Sequence, residues 1–350
     1  MHFLSFRGSS SGDGRRRHPY CPLRLLLLVD SRGKYGSDQG TMKENLFITG
    51  ISGCIGHYLF EVLAKDSRYH LYLLVRDPKR LKFDLESHPN ISLINDHLCN
   101  IRRYSELLKE MDFLIHLATD WGNWDVEYKH TLELFGLLDP SRCKKAIYFS
   151  TASILDSDNQ PIKNIDKIGT PYIQAKYLCY KKLPELKIYD RIITLFPTWI
   201  LGGNGQHPYS HASWVILKLL KWLWLIRFFK LDIRFHFIHA KDIALIVNYI
   251  LKNEVDKSEL VLGNPAISSE EFVREICEAF NRKIYFQINI SSRFIRSLSL
   301  LSGKRLPAWD DFCLKKRHFE YKVVNTQTFG IKSDYQTIGE TLKELTVSPP

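Results

Sequence analysis

No Cys-x-x-Cys pair occurs in this 350-residue chain, although it contains seven cysteines. They stand at 21, 54, 99, 143, 179, 277 and 313, scattered and odd in number. That arrangement argues against a zinc site or a disulfide framework and fits a reducing compartment such as the cytoplasm. Long apolar runs are also missing. The run Leu25-Leu-Leu-Leu-Val29 falls far short of the ~20 residues that cross a bilayer. No nucleic-acid-binding motif is present, so a nucleic-acid partner is not expected. What is there is a globular composition, 45% hydrophobic and 25% charged.

The formal net charge is +11. Residues 1–41 carry seven Lys/Arg against three acids. The excess left on the body favours an anionic cofactor or an anionic surface. Residues 1–41 are rich in Ser, Gly and Arg and end just before Met42. They read as a disordered extension ahead of a working start at Met42. A targeting peptide is the alternative, although the apolar core is short and follows Arg24.

The rest of the chain is organised around Asn45-Leu-Phe-Ile-Thr-Gly50-Ile-Ser-Gly53-Cys-Ile-Gly56. This stretch predicts a buried strand, a glycine turn and then an amphipathic helix. Such a turn aims backbone N–H groups and the positive helix end at one point, which suits a phosphate. Gly50 serves the tight turn, Gly53 the approach of a pyrophosphate, and Gly56 close packing of helix on strand. Further strands are expected at Tyr69–Val75, Ile91–Asp96, Met111–Ala118 and Lys145–Thr151. Helical patterns at 103–109 and 126–138 stand between them. Strands and helices in this rhythm predict a doubly wound parallel sheet, a Rossmann-like α/β fold.

Arg76 ends the second strand, twenty residues past Gly56, where the adenosine ribose of a dinucleotide is met. An Arg there suits a 2′-phosphate, so NADP is the expected cofactor. Asp77 is the next residue, which keeps NAD as the alternative.

Three segments together resemble the extended short-chain dehydrogenase/reductase family: Thr49-Gly50-x-x-Gly53-x-x-Gly56, Ser150-Thr151-Ala-Ser, and Pro171-Tyr172-Ile-Gln-Ala-Lys176. This branch includes nucleotide-sugar epimerases and dehydratases, dihydroflavonol reductases and hydroxysteroid dehydrogenases. Leu195-Phe-Pro197-Thr-Trp-Ile-Leu-Gly202-Gly203 is similar to its Arg-Pro-x-x-x-x-Gly segment, with Phe196 in place of Arg. Phe237-Ile-His-Ala-Lys-Asp242-Ile-Ala244 is similar to a later helix start. The likeness covers about residues 44–280.

The resemblance implies a catalytic set of Thr151, Tyr172 and Lys176. Tyr172 and Lys176 at i,i+4 share one helical face. The ammonium is expected to lower the phenol's pKa toward working pH. A second copy of the spacing, Tyr177 with Lys181, lies deeper in the helix, where a packing role is expected. The resemblance also implies a dinucleotide site made by Gly50, Ser52, Gly53, Cys54, Ile55, Gly56, Arg76, Asp96, His97, Leu117, Ala118, Tyr172, Lys176 and Pro197. Ala152 and Ser153 stand where sugar-nucleotide dehydratases carry Asp-Glu, which argues against a 4,6-dehydratase.

Residues 213–230 are the most unusual stretch after the catalytic one. Trp214, Trp222, Trp224, Phe228 and Phe229 alternate there with Lys218, Lys221, Arg227 and Lys230. The pattern predicts one helix, for which three readings stand. It lies on a membrane surface through 214–230, it walls a pocket for a lipophilic substrate, or it is buried with its charges reaching water.

The expected organisation is a dinucleotide-binding domain over 42–200, to which 233–262 returns. A smaller substrate lobe then comprises 201–232 and 263–350. The expected function is hydride transfer between a nicotinamide and a carbonyl or alcohol of a small, lipophilic molecule. A nucleotide-sugar epimerase with retained NAD and a non-catalytic scaffold at a membrane are the alternatives. Homodimer formation is expected by analogy with relatives.

Overall fold

A computed structural model describes residues 43–120, 123–301 and 305–347. The readings made for residues 1–41 lie outside the described residues. The first unit is β1 (Glu44–Thr49), the glycine turn and α1 (Cys54–Leu63). Then come β2 (Tyr69–Val75), β3 (Ile91–Asn95), β4 (Phe113–His116), α2 (Thr131–Gly136) and β5 (Lys145–Phe149). A π-helical stretch, Asp125–His130, leads into α2. The chain continues through α3 (Pro171–Lys182), β6 (Ile192–Pro197), β7 (Trp199–Leu201), α4 (His211–Leu220), β8 (Phe237–His239), α5 (Ala240–Lys252) and β9 (Glu259–Leu262). The C-terminal part contributes α6 (Ser269–Ala279), α7 (Ser292–Leu301), α8 (Ala308–Lys316) and α9 (Ile338–Val347).

Seven parallel strands form one sheet in the order β9-β6-β5-β4-β1-β2-β3. Alternation along each strand feeds two cores. Leu46 and Ile48 face α1 and α5, while Phe47 faces the α2 and α3 side. Each is fully buried, and burying such a side chain stabilises by about 1.5–3 kcal/mol. Helices therefore cover both faces, the doubly wound arrangement. The strand order reverses between β1 and β4, and a crevice opens there at the strands' C-terminal ends.

Short pairings tie the later chain together. β7 pairs with β8, Arg234–Phe235 with Ile267–Ser268, and Phe229–Lys230 with Ile288–Asn289. Ser268 and Glu271 form the capping box at the start of α6 that their spacing predicts.

Residues 213–230 are not one helix. α4 ends at Leu220, a turn at Lys221–Trp222 follows, and the short helix Leu223–Ile226 leads into the strand pair at Phe229. Only Ser213, Ile216 and Leu223 of this stretch are buried. Trp222 and Trp224 are exposed, which the buried-helix reading did not allow. The 103–109 pattern likewise splits into a 3-10 turn, Leu98–Tyr104, and a short helix, Ser105–Lys109.

Asp242 sits in the first turn of α5, buried, with Ser333 Oγ donating to its Oδ2 at 2.8 Å. Burial raises its pKa from 3.8 to about 6, against the Ser333 hydrogen bond and Lys241. Between those values the folded state holds a proton that the unfolded state releases, so stability falls as pH rises through that window. Asp242→Asn is expected to abolish this fall and to be more stable than wild type at neutral pH, by about 1–3 kcal/mol. Thermal melts at pH 4 and pH 7 check this; a parallel pH dependence in both proteins would refute it.

Candidate active site

The glycine turn expected to cradle a phosphate is built by backbone. Gly50 has φ +80°, and a Cβ there would lie 2.4 Å from the Ala118 nitrogen and 2.6 Å from the Leu117 carbonyl carbon. A Cβ on Gly56 would lie 2.3 Å from the Ile51 carbonyl oxygen. Any side chain at either position pushes the turn away from β4 or α1 away from β1. Gly53 differs: a Cβ there would meet only the Gly50 oxygen, at 3.3 Å.

Gly53 caps α1 without a side-chain hydrogen bond, and no acid stands in the first turn. The first intrahelical donor is His57, whose N–H reaches the Gly53 carbonyl at 3.1 Å. The amides of Cys54, Ile55 and Gly56 precede it at the positive helix end, where Ser52 also lies. The His57 ring locks the turn. Nε2 accepts from the Lys82 amide at 3.2 Å, so Nδ1–H donates to Gly53 O at 2.9 Å. This donor set fits a pyrophosphate.

A second buried chain fixes the floor. Thr131 Oγ1 donates to Val126 O at 2.8 Å and so accepts from His116 Nε2–H at 2.9 Å. His116 Nδ1 then accepts from Thr49 Oγ1 at 2.7 Å. Complete burial, with Lys176 nearby, pushes the His116 pKa down to about 3, so the ring is a neutral strut.

Arg76 and Asp77, adjacent in sequence, are separated in role. Asp77 caps the turn Pro78–Arg80, accepting from the Lys79 amide at 3.1 Å. Arg76 is exposed and lies 3.6 Å from Asp120. The Asp96 carboxylate is occupied by its own loop, accepting from the His97 amide at 2.7 Å, Asn100 at 2.6 Å and Tyr104 at 2.9 Å. His97 is exposed, and Pro197 is buried at the end of β6.

The candidate catalytic residues converge beyond the end of β5. Thr151 is buried there, and its Oγ1 accepts from the Ser153 amide at 3.3 Å. α3 starts with Thr170 as cap and Pro171 in the first turn, which sets Tyr172 at the helix mouth. Tyr172 and Thr151 are joined by a side-chain hydrogen bond. Lys176 Nζ lies 5.9 Å from the Tyr172 ring centre and donates to Phe149 O at 2.9 Å. The rival pair differs in burial: Lys181 is exposed, whereas Lys176 is buried.

Glu127 joins this cluster although no motif spacing points to it. This carboxylate is completely buried and lies 2.9 Å from Lys176 Nζ. Its other oxygen accepts from the Asp120 amide at 2.7 Å and from the Thr119 hydroxyl. A signal existed. Glu127 falls seven and eleven residues before Leu134 and Leu138, so an acid stood on the apolar stripe of the 126–138 pattern.

Burial overturns the expected pKa, with Glu127 as a smaller contributor. Desolvation raises Tyr172 to about 12, Lys176 opposes it, and Glu127 adds to it. The anion beside the ammonium offsets part of the field that was expected to favour phenolate. Tyr172 is therefore a protonated phenol at neutral pH.

Similarity to known proteins agrees with this geometry. Residues 46–263 match the model of the NAD dependent epimerase/dehydratase family. A search of curated protein sequences finds no match. Among solved structures, the chain is similar to a UDP-N-acetylglucosamine 4-epimerase from Methanobrevibacter ruminantium M1. The identity is 18%, over 87% of this chain and 97% of that one, with a TM-score of 0.59. A UDP-glucuronic acid 4-epimerase from Bacillus cereus, solved with UDP-glucuronic acid and NAD, is 16% identical over 86% and 97%, with a TM-score of 0.56. The terminal R domain of the myxalamid PKS-NRPS biosynthetic pathway is 15% identical over 87% and 91%, with a TM-score of 0.62. The glycine turn at the sheet's switch point and a family match spanning most of the sheet thus have one explanation: the chain belongs to the NAD dependent epimerase/dehydratase family, within the extended short-chain dehydrogenases/reductases.

Proposed function

We propose that the protein is an NADP(H)-dependent reductase acting on the carbonyl of a small, lipophilic molecule. The observation that carries this reading is Tyr172 hydrogen-bonded to Thr151 with Lys176 buried beside it, where burial raises the phenol's pKa to about 12. A bound nicotinamide supplies the hydride. The chain's residues do the rest. Thr151 orients the substrate oxygen, Tyr172 gives that oxygen its proton, and Lys176 positions the phenol and offers its ammonium to the cofactor's ribose. A phenol that holds its proton at neutral pH suits a general acid, the role a reductase needs.

Arg76 supports NADP over NAD. It is exposed at the end of β2, and the neighbouring Asp77 uses one carboxylate oxygen to cap a turn. NADPH and NADH titrations followed by fluorescence test this. Arg76→Ala is expected to weaken NADPH binding by roughly 10- to 100-fold and leave NADH nearly unchanged. Equal binding of both cofactors would overturn the NADP assignment.

The similarity to UDP-sugar epimerases favours a second reading, a nucleotide-sugar epimerase that keeps its NAD. Dinucleotide that co-purifies through gel filtration would favour it over the reductase.

A further inference from the structure

Two segments far apart in sequence form one exposed face. The first is α4 with the turn and strand that follow it. The second is the 282–290 segment with α7. They are joined by the parallel pair of Phe229–Lys230 with Ile288–Asn289. Phe228 stacks on Phe286 with ring centres 4.9 Å apart, and Arg227 donates to Lys283 O at 3.0 Å.

The face has an unusual composition. Exposed aromatics are Trp214, Trp222 and Trp224 from the first segment and Tyr285, Phe286 and Phe294 from the second. Trp224 is 60% and Tyr285 76% accessible. Nine of the twelve exposed large hydrophobics among the described residues fall in these two segments. No acid occurs between Asp190 and Asp232, nor between Glu278 and Asp310. Lys230 is paired with Glu270 and Arg296 with Asp311. Lys218, Lys221, Arg282, Lys283 and Arg293 have no ion-pair partner among the described residues.

We propose that this face docks on the surface of an anionic phospholipid bilayer. Amphipathic rings favour the water–lipid boundary, where the indole body is buried and its N–H stays hydrated. The lysines and arginines meet lipid phosphates, each contributing about 1 kcal/mol near an anionic leaflet. A protein partner fits less well, because the cores of protein interfaces are depleted in lysine. No helix among the described residues is long and apolar enough to cross a membrane, so the contact lies in the interface plane. The structure adds to the 214–230 reading that the helix is broken, its tryptophans point outward, and 282–301 doubles the surface. Docking is independent of the reductase assignment.

The test is co-sedimentation of the full chain with phosphatidylglycerol/phosphatidylcholine vesicles and with phosphatidylcholine vesicles alone, at physiological salt. Binding to the anionic vesicles is expected, with weaker binding to neutral ones. The double variant Trp222→Ala/Trp224→Ala should lose roughly tenfold or more in vesicle affinity. Lys218→Glu/Lys221→Glu should lose the preference for anionic lipid. All four side chains are at least partly exposed, and unchanged thermal melts will establish that the variants fold. Absence of vesicle binding overturns the proposal. So does a dimer on gel filtration that the tryptophan variant breaks without vesicle binding, which would assign the face to a second copy. Binding to an oligonucleotide in place of vesicles, lost in the lysine variant, overturns it as well.

Discussion

Glu127→Ala is expected to lower the free energy of unfolding by about 3–5 kcal/mol, the effect of stranding one charge of a buried pair. Lys176 and Glu127 have side-chain exposures of only 3% and 0%. Removing the carboxylate leaves the ammonium with the Phe149 carbonyl and an aromatic wall. It also leaves the Asp120 amide without its acceptor. Since whole domains are stable by about 5–15 kcal/mol, urea denaturation should show a large shift of midpoint. The double variant Glu127→Ala/Lys176→Met separates the pair from simple cavity formation. Its loss should fall short of the sum of the single losses by more than ~1 kcal/mol. Additive losses would show that the two charges are not coupled.

The pH dependence has a defined sign. Burial lowers the Lys176 pKa, but Glu127 and Tyr172 outweigh it, and the net shift is upward from 10.5. A raised lysine pKa contributes stability that is full below 10.5 and lost as pH rises through the folded value. The wild type should therefore keep this contribution through neutral pH and lose it only in strong alkali, whereas the stranded lysine of Glu127→Ala, depressed by burial, costs least at high pH. A wild-type contribution lost near neutrality would contradict this account.

Tyr172→Phe is expected to lower kcat for carbonyl reduction by about 10²- to 10⁴-fold, the usual worth of a positioned proton donor. That corresponds to about 3–5 kcal/mol of barrier. Phe keeps the ring beside Lys176, so NADPH affinity should stay within about two- to threefold of wild type. Because the phenol is raised to about 12, the rate of reduction should be flat from roughly pH 6 to 9. It should fall only as the phenol begins to ionise. A fall centred near neutral pH would place a different acid at the substrate oxygen. Full retention of the cellular phenotype in the variant would support a non-catalytic scaffold.

The first βα unit was legible because its signals are local. A strand pattern, glycines at fixed offsets and a helical stripe all lie within twenty residues of sequence. Tyr172 and Lys176 were legible for the same reason, since i,i+4 is one turn of one helix, and Pro171 marks its start. The arrangement of strands into a parallel sheet followed from the alternation of periods. The boundaries of the 213–230 element were not legible. Its apolar residues satisfy a helical pattern throughout, and only the pairing of Phe229 with Ile288 takes the end of it into a strand.

Sequence by itself determined the family's fold, the place of the glycine turn and the identity of the proton-donor candidates, because each rests on short-range spacing. Tertiary structure alone decided three further matters. It brought Glu127 to Lys176 across 49 residues, gave Asp77 a turn to cap and Arg76 the Asp120 carboxylate, and merged two acid-free segments into one face. Each depends on burial or on contact between distant residues. A charge's field and a phenol's pKa are set by what surrounds them in space, and desolvation has no signature in residue order.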